Sequence, residues 1–165
     1  MKTVVLDSLP LAELCRKKIK SEVGDLLLFL RNQKIALRVA EITEYELRRE
    51  LLRSERYRSD NRLNKFYLTK RVISIDRLAL IKASEIWAEL RNFGMPTASN
   101  ERIDIDTIMV AQSLTLKKDF EEVIILTSDP EDISRFCHYG IRVWKWQDAL
   151  SRDKREINYY QSKVK

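Results

Sequence analysis

The sequence predicts an α/β fold, with a mostly parallel sheet covered by helices on both faces. Two observations carry this. Short, continuously apolar runs at residues 3–6, 35–39, 72–75, 123–126 and 140–144 alternate with longer stretches whose apolar residues recur at helical spacing. Strands that are apolar at nearly every position have both faces buried, as happens when crossover helices pack on each side of parallel strands. A third observation concerns function: acidic residues stand where several of these runs end. In such folds ligands collect beyond the carboxyl ends of the strands.

In chain order, the first strand over 3–6 stops at Asp7-Ser8, and Pro10 suits the first turn of a helix. From 19 to 30, Ile19, Val23, Leu26, Leu27 and Leu30 keep helical spacing before the polar stop Arg31-Asn32-Gln33. A second strand covers 35–39. The helix that follows over 42–52 carries Thr43 and Glu46 at capping-box spacing, so Glu46 has a purely local reading beside any functional one. The spacing carries this helix on into Arg53, Arg56, Arg58, Arg62, Lys65, Lys70 and Arg71, interleaved with Tyr57, Phe66 and Tyr67. That pattern suits a nucleic-acid surface, where charge supplies affinity and rings stack on bases; a solvated helix pair has the same composition.

A third strand is expected at 72–75, with Asp76 capping the next helix. In that helix Leu80, Ile81, Ala83, Ile86, Trp87 and Leu90 form a broad apolar stripe, and Phe93-Gly94 ends it with glycine at the C′ position. A loop over 95–100 leads to Asp104 and Asp106, which stand in front of an apolar helix. Strand 123–126 ends at Thr127-Ser128-Asp129-Pro130, again a helix start, and the last strand lies at 140–144.

The length of 165 residues suits one domain, set at 1–150, with a basic polar tail over 151–165. Gly24, Gly94 and Gly140 are the only glycines, too few for a Gly-rich phosphate loop, which excludes P-loop NTPases and dinucleotide-binding enzymes. A net charge of +6 alongside 25 acidic residues implies segregated charge and makes a polyanion the natural partner, although a merely soluble basic protein has the same balance. Cys15 and Cys137 lack metal or redox spacing, Met1-Lys2 leads straight into a strand without signal-peptide layout, and no apolar run is of membrane-spanning length. A cytoplasmic location and no membrane contact are expected.

Asp7, Glu46, Asp104, Asp106 and Asp129 all lie at potential rim positions. Each alone suits a helix cap. Together they could not stay ionised in a dry cleft, because like charges raise one another's pKa. A divalent cation resolves the repulsion. With His138 and two isolated cysteines as the only softer ligands, oxygen ligation points to Mg²⁺, or Mn²⁺, rather than zinc. A bound ion of this kind activates water and neutralises a phosphodiester, so the acids beside a basic surface read as a metal-dependent nuclease.

The same residues carry a family resemblance. From about Val4 to Trp146 the chain resembles PIN-domain ribonucleases of the VapC-like toxin type. Val4-Val5-Leu6-Asp7-Ser8 is similar to the family's strand followed by Asp and a small hydroxyl residue; the segment from Glu44 to Leu51 is similar to its second motif and places the family's Glu on Glu46. Asp106-Thr107-Ile108-Met109-Val110-Ala111 matches the third motif and Thr127-Ser128-Asp129 the fourth. Three features depart from the pattern: Leu9 where a smaller residue is common, Met109-Val110 in place of Ile-Ala, and the additional acid Asp104.

The resemblance implies a three-layer α/β/α sandwich around a short, mostly parallel PIN-like sheet, Mg²⁺-dependent hydrolysis of RNA, a homodimer, and neutralisation by a small antitoxin protein. The catalytic set is then Asp7, Glu46, Asp106 and Asp129, with Asp7, Asp106, Asp129 and Asp104 as metal ligands. Ser8, Thr127, Arg56, Arg62 and Lys65 are the candidate substrate-binding residues. Two other readings remain open. A non-catalytic RNA- or protein-binding module could share this fold, and a haloacid-dehalogenase-type phosphatase also uses Asp-x-Asp, but directly after a strand. The expectation to test is that Asp7, Glu46, Asp106 and Asp129 face one cleft, with Asp104 at its margin.

Overall fold

The structure, a computed structural model, describes residues 1–93 and 100–151, except the side chains of 100–103. Expectations for Gly94, for the loop over 95–99 and for the tail from 152 onward lie outside the described residues. Five strands form one sheet: β1 (Lys2–Leu6), β2 (Ala36–Ala40), β3 (Val72–Ile73), β4 (Glu122–Thr127) and β5 (Arg142–Lys145). Their order is β3-β2-β1-β4-β5, and every pairing is parallel rather than only most of them. Strand β3 is shorter than the four residues expected and holds an edge.

The middles of the strands are apolar on both faces because consecutive residues feed different cores. Val4 and Leu6 point with Leu37, Val39, Ile124, Leu126 and Trp144 to one face, whereas Val5, Ile125 and Val143 point to the other. On the first face lie α1 (Ser8–Leu14), α2 (Ser21–Asn32), α3 (Glu41–Arg53), α4 (Tyr57–Leu68) and α8 (Trp146–Leu150). On the second lie α5 (Arg77–Asn92), α6 (Asn100–Leu114) and α7 (Pro130–Ser134). The result is the three-layer α/β/α sandwich. Each large apolar side chain fully buried between layers contributes about 2 kcal/mol.

Local differences from the sequence reading have physical causes. The helix expected to run from 42 through 71 is broken: Ser54 closes α3, Glu55 takes φ 55°, and α4 begins at Tyr57. The same device recurs. Lys34, Glu55 and Lys70, all left-handed, follow the ends of α2, α3 and α4, and the amides of Ile35, Arg56 and Arg71 donate back to the carbonyls of Leu30, Leu51 and Phe66. These are Schellman closures made without glycine.

Helix α3 also starts earlier than the capping box requires. Ala40 occupies its N-cap and no side chain of the helix start caps it, so Thr43 lies inside the first turn, with its hydroxyl buried and unpartnered. Helix α2 begins at Ser21 and leaves Ile19 exposed. In α5 the buried residues are Ala79, Ala83, Ile86 and Leu90, whereas Leu80, Ile81 and Trp87, expected in the buried stripe, are exposed. That helix is therefore apolar on two sides, and only one faces the sheet.

Helix α3 is bound to α4 by one buried-side hub. The Arg48 guanidinium donates to Glu44, to Asp60 at 2.5 Å and to Asn64 at 2.8 Å. A fork with five donors is the side chain that can satisfy three acceptors at once.

Candidate active site

The carboxyl ends of β1 and β4 are the centre of the site, because the chain leaves these neighbouring strands toward opposite faces of the sheet. Such a switch point opens a crevice. Asp7 directly follows β1, and its amide donates to the Leu126 carbonyl at 3.0 Å, holding the residue at the end of the ladder. Its Oδ1 accepts from the Ser8 amide at 2.6 Å, as the N-cap of α1. Its Oδ2 accepts from the Thr127 hydroxyl at 2.6 Å. Burial pushes the Asp7 carboxyl up, the Thr127 and Ser8 hydrogen bonds oppose that rise, and the Asp129 charge adds to it.

Asp129 follows β4 by way of Ser128. It stands at the N-cap position of α7 with Pro130 behind it, yet its side chain makes no capping bond. The carboxylate is exposed, and its own amide donates to Thr127 Oγ1 at 2.9 Å. Thr127 thus fixes the residues on both sides of the crevice. It is fully buried, so it presents no surface for the substrate contact expected of it.

Asp106 reaches the same space from α6 and Glu46 from the second turn of α3. These two, with Asp7, Asp129 and Asp132, line a cleft of about 330 Å³. Ser8 and Ser128 contribute polar edges, and Leu9, Ile105 and Ile133 apolar ones. The Asp106 carboxyl is pushed up to about 8, first by burial and then by the charges of Asp7, Asp132 and Glu46; Arg135 opposes the shift. So the four acids expected to meet do line one cleft.

Asp104 does not join them. Helix α6 already begins at Asn100, so Asp104 and Asp106 sit inside it rather than in front of it. Two residues apart on a helix is roughly 200° of rotation, which sends the two side chains to opposite sides. Asp104 is exposed in a separate groove with Leu80, Trp87 and Ile108. The placement removes the capping explanation for Asp106 and puts Asp104 outside the cleft, not at its margin as expected. It also removes the phosphatase reading, because neither acid follows a strand.

Asp132 is the acid that sequence reasoning missed. It lies one turn beyond Asp129 on α7 and pairs with Arg135 on its own helix. Its place three residues after Asp129, within the helix that Pro130 starts, was the signal. Of the family departures noted above, Leu9 lines the cleft and is largely exposed, whereas Met109 and Val110 are buried in the core and do not shape it.

The basic candidates are elsewhere. Arg56, Arg62 and Lys65 do not line the cleft. Arg62 donates to the Cys15 carbonyl at 2.9 Å, so its guanidinium ties α4 to the end of α1. Arg56 and Lys65 are exposed, together with Tyr57 and Tyr67.

The donor set suits a hard divalent cation. It is all oxygen, and burial, with smaller contributions from neighbouring carboxylates, holds Asp7 and Asp106 above the usual carboxylate range. Among the described residues, no three acidic, histidine or cysteine side chains stand together as a cage that could hold a metal ion. Mg²⁺ needs no such cage, since it keeps several waters and is usually held by one or two carboxylates.

No protein-family model matches the sequence, and no curated protein does. Solved structures do match in fold. The chain is similar to one in the DNA-bound VapBC complex from Salmonella typhimurium, at 18% identity and TM-score 0.62, covering 88% of this chain and 99% of that one. It is also similar to a chain of VapBC2 from Rickettsia felis bound to a promoter DNA fragment, at 13% identity and TM-score 0.64, covering 87% and 99%. A chain of FitAcB from Neisseria gonorrhoeae matches at 16% identity and TM-score 0.61, covering 87% and 98%. The fold is the PIN-like α/β/α sandwich of these assemblies.

Proposed function

We propose that this chain is a metal-dependent ribonuclease, hydrolysing RNA phosphodiester bonds, and the toxin of a toxin–antitoxin pair. The observation that carries the reading is the convergence of Asp7, Glu46, Asp106 and Asp129 on one cleft at the carboxyl edge of the sheet. A cap or an ion pair would explain any one of these acids, but not four from four different segments with a carboxyl pushed up to about 8 among them.

Asp7, Asp106 and Asp129 would hold Mg²⁺, with Mn²⁺ as a substitute, and Asp132 flanks them. When bound, the ion lowers the pKa of a water and neutralises charge developing on the phosphate. Glu46 faces the same space from α3 and serves as proton acceptor for the attacking water. Thr127 keeps Asp7 turned toward the cleft, and Ser8 offers a hydroxyl at its edge. Exposed Arg56 and Lys65, with Tyr57 and Tyr67, would guide RNA by its phosphates and bases.

The partner assignments rest on the fold. The matched chains belong to VapBC and FitAcB assemblies, which supports a small antitoxin as partner. A homodimer would cover the exposed Leu80, Ile81 and Trp87 of α5. No helix among the described residues is long and apolar enough to cross a membrane, and the two free thiols suit a reducing, cytoplasmic setting. The test is RNA cleavage with Mg²⁺, with Mn²⁺ and with excess EDTA. Cleavage that continues in EDTA overturns the reading, and RNA binding with no cleavage under any metal returns the chain to a binding module.

A further inference from the structure

Helices α3 and α6 carry Glu46 and Asp106, and they meet the cleft from different layers of the fold. Helix α3 has no side-chain cap from its own N-cap residue, Ala40. One fully buried polar side chain spans the gap. Gln112 of α6 accepts a hydrogen bond at its Oε1 from the Ile42 amide, at 3.2 Å, and donates through Nε2 to the Ile73 carbonyl at the end of β3.

Ile42 is the second residue of α3, so Gln112 takes up one of the amides that a helix start leaves orphaned. In effect α6 caps α3 across the protein interior. A primary amide carries its donor and its acceptor on separate atoms at the end of a long side chain, which suits such a bracket, and a buried amide is tolerated only when both are used. Next to it, Glu41 Oε2 accepts from the Ile75 amide at 2.6 Å, so the α3 start is held to the segment after β3 by a second bond.

Resting on the nuclease reading, we propose that Gln112 is a positioning residue for the acid cleft. It sets the spacing between Glu46 and Asp106 by locking the start of α3 against α6. Glu46 lies one turn beyond Ile42, about 6 Å along the axis, and Asp106 lies six residues before Gln112, about 9 Å along its own. Both are rigid lever arms from a single pair of hydrogen bonds. A side chain that only filled the core would have no reason to be polar, and one that only capped α3 would not need to stand on the helix that carries Asp106.

The test uses the full chain with Mn²⁺ alone as probe, by calorimetry, and then RNA cleavage kinetics. Gln112→Met keeps length and volume and removes both bonds; Gln112→Asn, one methylene too short to span them, carries the same test should the first not fold. Ser113→Ala is the control: Ser113 is equally buried, but its hydroxyl bonds only to Met109 O within α6. The Gln112 variants should bind Mn²⁺ about 10-fold or more weaker and lose kcat to a similar degree, as expected when support for a metal site is removed. The KM for RNA should stay near wild type, and Ser113→Ala should bind Mn²⁺ like wild type whatever its melting temperature. Variants that melt lower yet keep Mn²⁺ affinity and kcat overturn the role of Gln112 and leave the nuclease reading standing. A wild-type chain that neither binds Mn²⁺ nor cleaves RNA overturns both.

Discussion

The Thr127 hydroxyl stands 2.6 Å from Asp7 Oδ2 and donates to it, while accepting from the Asp129 amide at 2.9 Å. One oxygen atom therefore fixes acids from two strands. It donates to the carboxylate of one and accepts from the backbone amide of the other.

Thr127→Val keeps the shape and removes the hydroxyl. Cleavage should fall by about 10- to 100-fold through loss of Asp7 orientation. Stability should fall by roughly 1–2 kcal/mol, because the Asp129 amide loses its acceptor. Thr127→Ser restores the hydroxyl and should recover most of both. Equal activity in the valine and serine variants would show that the bond does not serve the site.

The pH dependence of stability follows from Asp106. Its folded-state carboxyl is raised to about 8 from 3.8, so between those values the unfolded chain is ionised while the folded one retains the proton. The folded state then binds more protons, and stability must fall as pH rises through this window. The metal-free protein should melt lower at pH 8 than at pH 5. Asp106→Asn should flatten that slope, raise the melting temperature at pH 8 and abolish cleavage. Thermal melts in EDTA across pH 5 to 8 check it, and a wild-type melting temperature that climbs over this range contradicts the buried acid cluster.

Salt dependence separates the basic residues. Arg56 and Lys65 are exposed, and if they contact RNA phosphates each alanine substitution should lower the slope of log K against log salt by about 1. Arg62 is engaged with the Cys15 carbonyl. Arg62→Ala should leave the slope alone and lower the melting temperature instead. Fluorescence titrations with RNA at several salt concentrations distinguish the two outcomes.

Glu55 at φ 55° is a non-glycine residue in left-handed backbone between α3 and α4. Glu55→Gly should stabilise the protein by about 1 kcal/mol, the usual cost of that conformation for an L residue, less the added freedom of the unfolded chain. Chemical denaturation measures it. A destabilised variant would mean that the Glu55 side chain carries an interaction worth more than the strain.

The parallel sheet and the acids at its rim were legible because both leave marks in a single strand. Continuous apolar runs such as 123–126 require two buried faces, and Asp7 and Asp129 stop those runs. What was not legible depended on segments distant in sequence. The start of α6 at Asn100, which turns Asp104 away from Asp106, lies in polar residues with no periodicity. The break at Glu55 carries no glycine or proline. The capping box at Thr43 and Glu46 failed because Gln112, 70 residues away, supplies the cap instead. Arg62 read as a free cation because nothing local announces a partner 47 residues upstream.

The sheet order has a consequence for synthesis. Strand β1 is made first but occupies the middle, and its partner β4 arrives only after α6, so Asp7 waits for a hydroxyl 120 residues downstream. Until β4 has left the ribosome, β1 has one open edge and Asp7 has neither Thr127 nor Asp129 beside it. A nascent chain stalled before that point would carry Asp7, Glu46 and Asp106 but neither Asp129 nor the crevice, and on the nuclease reading it would lack the assembled site.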